Sequence, residues 1–124
     1  MISLIINAYF NLLQFEAYLV RGDFAGFYDR VRTYPVTAAI RQHNSIEVAC
    51  SAAEKACLWY WKEVLCLQRS AATACLLRRL GIEGRLVIGT QQIPFKAHAW
   101  VEVDGCAVND KPDMRDRYAV LDIC

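Results

Sequence analysis

Phe95-Lys96-Ala97-His98-Ala99-Trp100-Val101-Glu102-Val103-Asp104-Gly105 is the stretch on which the fold turns. It alternates with a period of two, so Ala97, Ala99, Val101 and Val103 share one face of a strand and Lys96, His98, Trp100 and Glu102 the other. Asp104-Gly105 is a hairpin turn signal, and a partner strand is expected to run to about Asp110. Just upstream, Leu86-Val87-Ile88 marks a buried strand over Arg85 to Thr90; downstream, Arg117 to Ile123 reads as a last strand.

The chain changes character near Gly81, and everything before it has helical spacing. The nearest helix is expected to begin at Cys66 and end at Gly81, with Arg78 and Arg79 in its last turn and the glycine as its cap. Asn44 followed by Glu47 resembles a capping box for a helix to about Trp61, whose face would hold Ile46, Ala49, Cys50, Ala53, Cys57 and Tyr60. Asp23 to Arg32 is a short amphipathic segment, closed by Pro35. In Ile2 to Val20 the polar residues Ser3, Asn7, Asn11, Gln14 and Tyr18 form one narrow stripe, which predicts a mostly buried core helix. The expected architecture is α+β: N-terminal helices packed on a small antiparallel sheet. One domain over 1–124 is expected, with 1–65 as a helical half and 66–124 as a helix plus the sheet.

Composition narrows the function classes. Of 124 residues, 56% are hydrophobic and 22% charged, enough apolar material for a packed core. The net charge of +1 and the lack of a basic stripe interleaved with aromatics argue against nucleic acid. Asn7, Asn11, Gln14 and Glu16 make the apolar N-terminal stretch too polar for a membrane span. The six cysteines form no C-x-x-C pair and follow no secretory signal pattern, so free thiols in a reducing cytoplasm are expected. Most of them are expected to act as small buried hydrophobes.

Cys66 differs from the other five by its place at a helix start, where unpaired N–H groups and the positive end of the dipole stabilise a thiolate nucleophile. His98 is one of only two histidines; the other, His43, falls in a polar loop. Whether His98 meets Asp110 depends on the hairpin. A two-residue loop sets Ala99 opposite Asp110 and sends the two side chains to opposite faces. A three-residue loop over Val103-Asp104-Gly105 sets His98 opposite Asp110 on one face, and this register is the one expected. A carboxylate there would hold the imidazole's tautomer, completing a Cys66, His98 and Asp110 triad for acyl transfer. Trp100 either walls this site or is a packed sheet aromatic. Gln68 is a candidate second oxyanion donor or substrate contact. Arg69 is a candidate substrate contact too, though it and Ser70 could equally pair near the first helical turn. Asn109 is placed to support Asp110.

The blocks Cys66-Leu67-Gln68-Arg69-Ser70, Leu77-Arg78-Arg79-Leu80-Gly81-Ile82, Val87-Ile88-Gly89, Pro94-Phe95, His98 to Gly105 and Val108-Asn109-Asp110 together resemble the lasso-peptide maturation peptidases. These are the transglutaminase-like cysteine peptidase part of the lasso-peptide B protein. The resemblance covers about Cys66 to Leu121. It implies a papain- or transglutaminase-like core and a leader peptidase acting on a ribosomally made precursor peptide. Its triad would be Cys66, His98 and Asp110, with no cofactor and no metal. It also implies two protein partners: a winged-helix leader-binding protein and an ATP-dependent lasso cyclase. Fused members carry the leader-binding domain themselves, so the short chain resembles the split form. Transglutaminase-like or arylamine N-acetyltransferase-like acyl transfer, and a non-enzymatic scaffold of the same fold, are the alternative readings.

Overall fold

A computed structural model describes residues 2–37, 44–92 and 94–124, so His43 and its polar loop lie outside the described residues. Helices α1 (Ile2–Arg21), α2 (Phe24–Thr33), α3 (Ser45–Trp59) and α4 (Cys66–Arg79) come first. Strands β1 (Arg85–Gln92), β2 (Phe95–Val103) and β3 (Cys106–Ala107), the single turn α5 (Met114–Arg117) and strand β4 (Ala119–Ile123) follow. The strands form one antiparallel sheet in the order β3-β2-β1-β4. This is the expected α+β architecture. No helix among the described residues is long and apolar enough to cross a membrane.

The other elements pack around α4. Its residues 70–78 are buried without interruption, as a helix covered on all sides must be. Helices α1 and α3 cover it on one side and β2 on the other, and Ser70, Ala71, Ala72 and Ala74 keep the approach close. Gly81 ends the helix at φ 84°. Its N–H donates to Arg78 O (3.1 Å) and that of Ile82 to Leu77 O (2.9 Å), a Schellman motif that only a residue tolerant of positive φ closes cheaply. Arg78 is buried, and it donates to the carbonyls of Val31, Arg32, Tyr34, Gly84 and Cys124 at 2.8–3.4 Å. That one side chain ties the end of α2 and the last strand's end to α4.

Three expectations need correction. First, α1 is buried on one face only, through Ala8, Asn11, Leu12 and Phe15. It lies at the outside of the bundle, so Ile2, Ile6, Phe10, Leu13 and Val20 are exposed. Asn11 turns inward instead, donating to Asn7 Oδ1 (3.1 Å) and accepting from Arg30 (3.3 Å). Second, Asn44 precedes α3 without a side-chain capping bond, and the buried face is Ser45, Ala49, Ala52, Ala53 and Ala56, with Cys50 and Cys57 half-buried beside it. Small side chains win that face because α1 and α4 press close to it.

Third, the β2–β3 hairpin has a two-residue loop, with Val103 opposite Cys106 and Glu102 opposite Ala107. Asp104 (φ 53°) and Gly105 (φ 81°) both take positive φ, as a type I′ turn demands and as Asp-Gly allows at little cost. The expected three-residue loop is absent, and β3 stops at Ala107 instead of reaching Asp110.

Candidate active site

Cys66 is the first residue of α4 and is half-buried. Leu65 before it is extended (φ −72°, ψ 152°) and offers no side-chain cap, and the first turn contains no acidic residue. The first helical bond is Arg69 N–H to Leu65 O (2.9 Å), which leaves the N–H groups of the preceding residues without intrahelical acceptors at the thiol's end of the helix.

His98 sits on β2, directly opposite Gly89 of β1. Its Nε2 lies 2.6 Å from Asp110 Oδ2, with both side chains mostly buried. Burial pushes the Asp110 carboxyl up, but the His98 hydrogen bond, the Lys111 N–H on Oδ1 (2.8 Å) and the nearby charges of His98 and Arg69 outweigh it. The group therefore lies below its ordinary 3.8. With Nε2 turned to Asp110, Nδ1 is the imidazole nitrogen left for a thiol. The imidazole stacks on Tyr118 (5.4 Å between centroids, 25°) and on Trp100 (6.2 Å, 23°).

The contact between His98 and Asp110 forms despite the register that should have separated them. In the observed register Asp110 would fall opposite Ala99 if the ladder continued. It does not continue. Val108 N–H still donates to Val101 O (3.0 Å), but Val101 N–H goes to the side chain of Asn109 (2.8 Å) and the backbone turns away.

A cavity of about 150 Å3 brings the nucleophile candidate and the histidine together. Its walls are Tyr28 of α2, Cys66 and Leu67 of α4, Ile88 of β1, and Ala97, His98 and Ala99 of β2. Larger surface hollows elsewhere, such as the one lined by Glu16, Lys62 and Gln68, hold neither Cys66 nor His98.

The model for the transglutaminase-like superfamily matches residues 11–122, nearly the whole chain. The chain belongs to the transglutaminase-like superfamily. This transglutaminase-like chain is also 45% identical over 56 residues to the microcin J25-processing protein McjB of Escherichia coli. The aligned stretch is 45% of the chain and spans only 27% of that relative's length. No solved structure matches it significantly.

The remaining candidates separate in this transglutaminase-like fold. Gln68 does not face the cavity, since two positions along a helix turn a side chain roughly 200° away from Cys66. Its amide is buried and donates to Leu12 O (2.8 Å), with Glu16 and the Tyr60 hydroxyl at 3.4 Å. It pins α4 to α1 through those bonds. Trp100 is the packed aromatic: fully buried, outside the cavity wall, its indole N–H on Glu102 Oε2 (2.9 Å). Glu102 is in turn gripped by Arg115 through Nε and Nη2 at 2.7–3.2 Å. Arg69 also stands outside the cavity wall, near enough to Asp110 to lower its carboxyl, with its Nε buried and unpartnered.

Tyr28 and Tyr118 are the site neighbours that sequence reasoning passed over. Tyr28 reaches the cavity from a helix far upstream, and burial, followed by the charges at Cys124 and Asp122, raises its phenol, so it stays protonated at neutral pH. No local spacing marks either tyrosine; only the packing of α2 and the β4 approach against the sheet does.

Among the other thiols, burial and then Glu54 push Cys50 up to about 11, and burial pushes Cys75 up to about 12. Both remain thiols at neutral pH. All six cysteines are free, and no group of three or more His, Cys, Asp or Glu among the described residues could hold a metal ion.

Proposed function

We propose that this chain is a cysteine peptidase that removes the leader from a lasso-peptide precursor. The observation that carries the reading is a shared cavity: Cys66 at a helix start and His98 line the same small pocket, and His98 is held by Asp110 at 2.6 Å. Nucleophile, base and orienting carboxylate thus come from three separate elements, as acyl-transfer triads require. The similarity to a microcin J25-processing protein supports a peptide precursor as substrate.

In this mechanism His98 Nδ1 takes the Cys66 proton and the thiolate attacks the carbonyl at the leader–core junction. Asp110, ionised at neutral pH, stabilises the imidazolium that forms. The imidazolium then protonates the departing core amine, leaving the leader as a thioester on Cys66. Water, deprotonated by His98, attacks the thioester and releases the leader acid and the free thiol. The N–H groups at the start of α4 supply donors for the oxyanion. A winged-helix leader-binding protein would present the precursor, and an ATP-dependent cyclase would use the freed amine. The free thiols support a reducing, cytoplasmic setting.

The test is mass spectrometry of a lasso precursor incubated with the protein and a leader-binding partner, with Cys66→Ala alongside. A leader acid and a free core produced only by the wild type are expected. A free core accompanied by the leader as the amide of an added amine, in place of the leader acid, would replace hydrolysis with acyl transfer. Cleavage that survives Cys66→Ala would sink the reading.

A further inference from the structure

The approach of Asp110 to His98 requires a cause, because the hairpin register alone would carry Asp110 to the Ala99 side of the sheet. Backbone groups at alternate residues of β2 point toward the β3 edge, as the pairing of Val101 O with Val108 N–H shows. Past the end of β3, Val101 N–H and Ala99 C=O are among the groups that need other partners. Side chains supply both. Asn109 Oδ1 accepts from Val101 N–H at 2.8 Å, in the place a regular ladder would give to Val108 O. Ser70 Oγ donates to Ala99 O at 3.1 Å and accepts from Asn109 Nδ2 at 3.1 Å. The displaced Val108 carbonyl faces the Cys50 thiol at 3.6 Å.

We propose that Asn109 and Ser70 are the positioning pair of this site, a side-chain bridge that breaks the β2–β3 ladder just before Asp110 and directs its carboxylate onto His98. The proposal rests on the triad reading above and names what sets its geometry. Ser70 lies one helical turn after Cys66 and is fully buried, so the bridge fastens the nucleophile's helix, the histidine's strand and the aspartate's loop at one point. Without the Asn109 oxygen, Val108 C=O becomes the natural acceptor for Val101 N–H. The ladder then extends and carries Asp110 to the other face. Neither residue touches the cavity that Cys66 and His98 line, so both act through Asp110 rather than on substrate.

The test reads the His98–Asp110 bond directly, by proton NMR of the hydrogen-bonded imidazole N–H in water, assigned by its loss in Asp110→Ala. Wild type is expected to show this resonance. Asn109→Ala is expected to unfold cooperatively, as wild type does, yet lose the resonance, and to cleave precursor with kcat lowered about 100-fold and KM within about twofold, the pattern of a misplaced catalytic group. Should Asn109→Ala not fold, Ser70→Ala, which removes the partner of the Asn109 amide, is read in the same way. A folded variant that keeps the resonance overturns the proposal, as does its absence from wild type or the failure of both variants to fold. If the resonance responds as expected but no variant, wild type included, cleaves precursor, the positioning role stands and the peptidase reading falls.

Discussion

Gly89 stands directly opposite His98, and a Cβ built on it would lie 2.7 Å from the ring of Trp100 and 2.8 Å from Cβ of Tyr118. The missing side chain lets two aromatics close over the strand and stack on the imidazole, so a glycine on one strand sets the packing of a histidine on the next. A bulge in the β1–β4 pairing at Ile88/Gly89 falls at the same place.

Gly89→Ala should therefore push Trp100 and Tyr118 outward. Overpacking of this kind costs about 1–3 kcal/mol. The expected result is a lower denaturant midpoint with an unchanged slope, and slower precursor cleavage through the disturbed His98 shelf. Stability and rate both at the wild-type level would mean that the rings move aside freely.

Asp110 predicts an acid-side dependence of stability. Its folded carboxyl lies below the ordinary 3.8, so the stability it contributes is complete above that value and is lost as pH falls through the lower folded value. The stability gap between wild type and Asp110→Asn should accordingly shrink as pH falls below about 4. Urea titrations at a series of pH values measure it, and a gap that widens in acid would contradict the assigned direction.

Thiol reactivity should sort the cysteines by burial. With Cys50 near 11 and Cys75 near 12, neither carries an appreciable thiolate fraction at pH 8. Iodoacetamide labelling followed by peptide mapping should leave both unmodified in the folded protein and modify both in urea.

Gln68→Ala separates support from chemistry. The truncation removes the amide donated to the Leu12 carbonyl, which keeps only the longer bond from the Tyr60 hydroxyl (3.5 Å), a loss of about 0.5–1.5 kcal/mol. Denaturant unfolding should show that loss, while Cys66 in the folded variant should still be alkylated at the wild-type rate. A variant as stable as wild type but unable to cleave would return Gln68 to the site.

What could be read from the residues alone follows the range over which each rule acts. The period-two run at 95–103 and the Gly81 cap depend on a few neighbouring residues, and both elements form as their sequences dictate. The start of α4 at Cys66 was legible in the same way. Asp104-Gly105 was legible as a turn but misjudged in length, because positive φ is available to both residues and the tighter type I′ geometry matches the twist of the strands. The pairing of His98 with Asp110 was expected from the wrong register. It arises through Asn109, whose amide meets Val101 and Ser70 only once α4 has packed on the sheet. The inward turn of Gln68, the burial of Trp100 and the arrival of Tyr28 at the cavity are likewise decided by packing between segments distant along the chain. Sequence by itself determined helices α1–α4 and strands β1 and β2, and which of them carry the thiol and the imidazole. Tertiary structure decided which groups share a cavity, because a buried hydrogen bond or an aromatic stack exists only where the fold brings both partners out of water together.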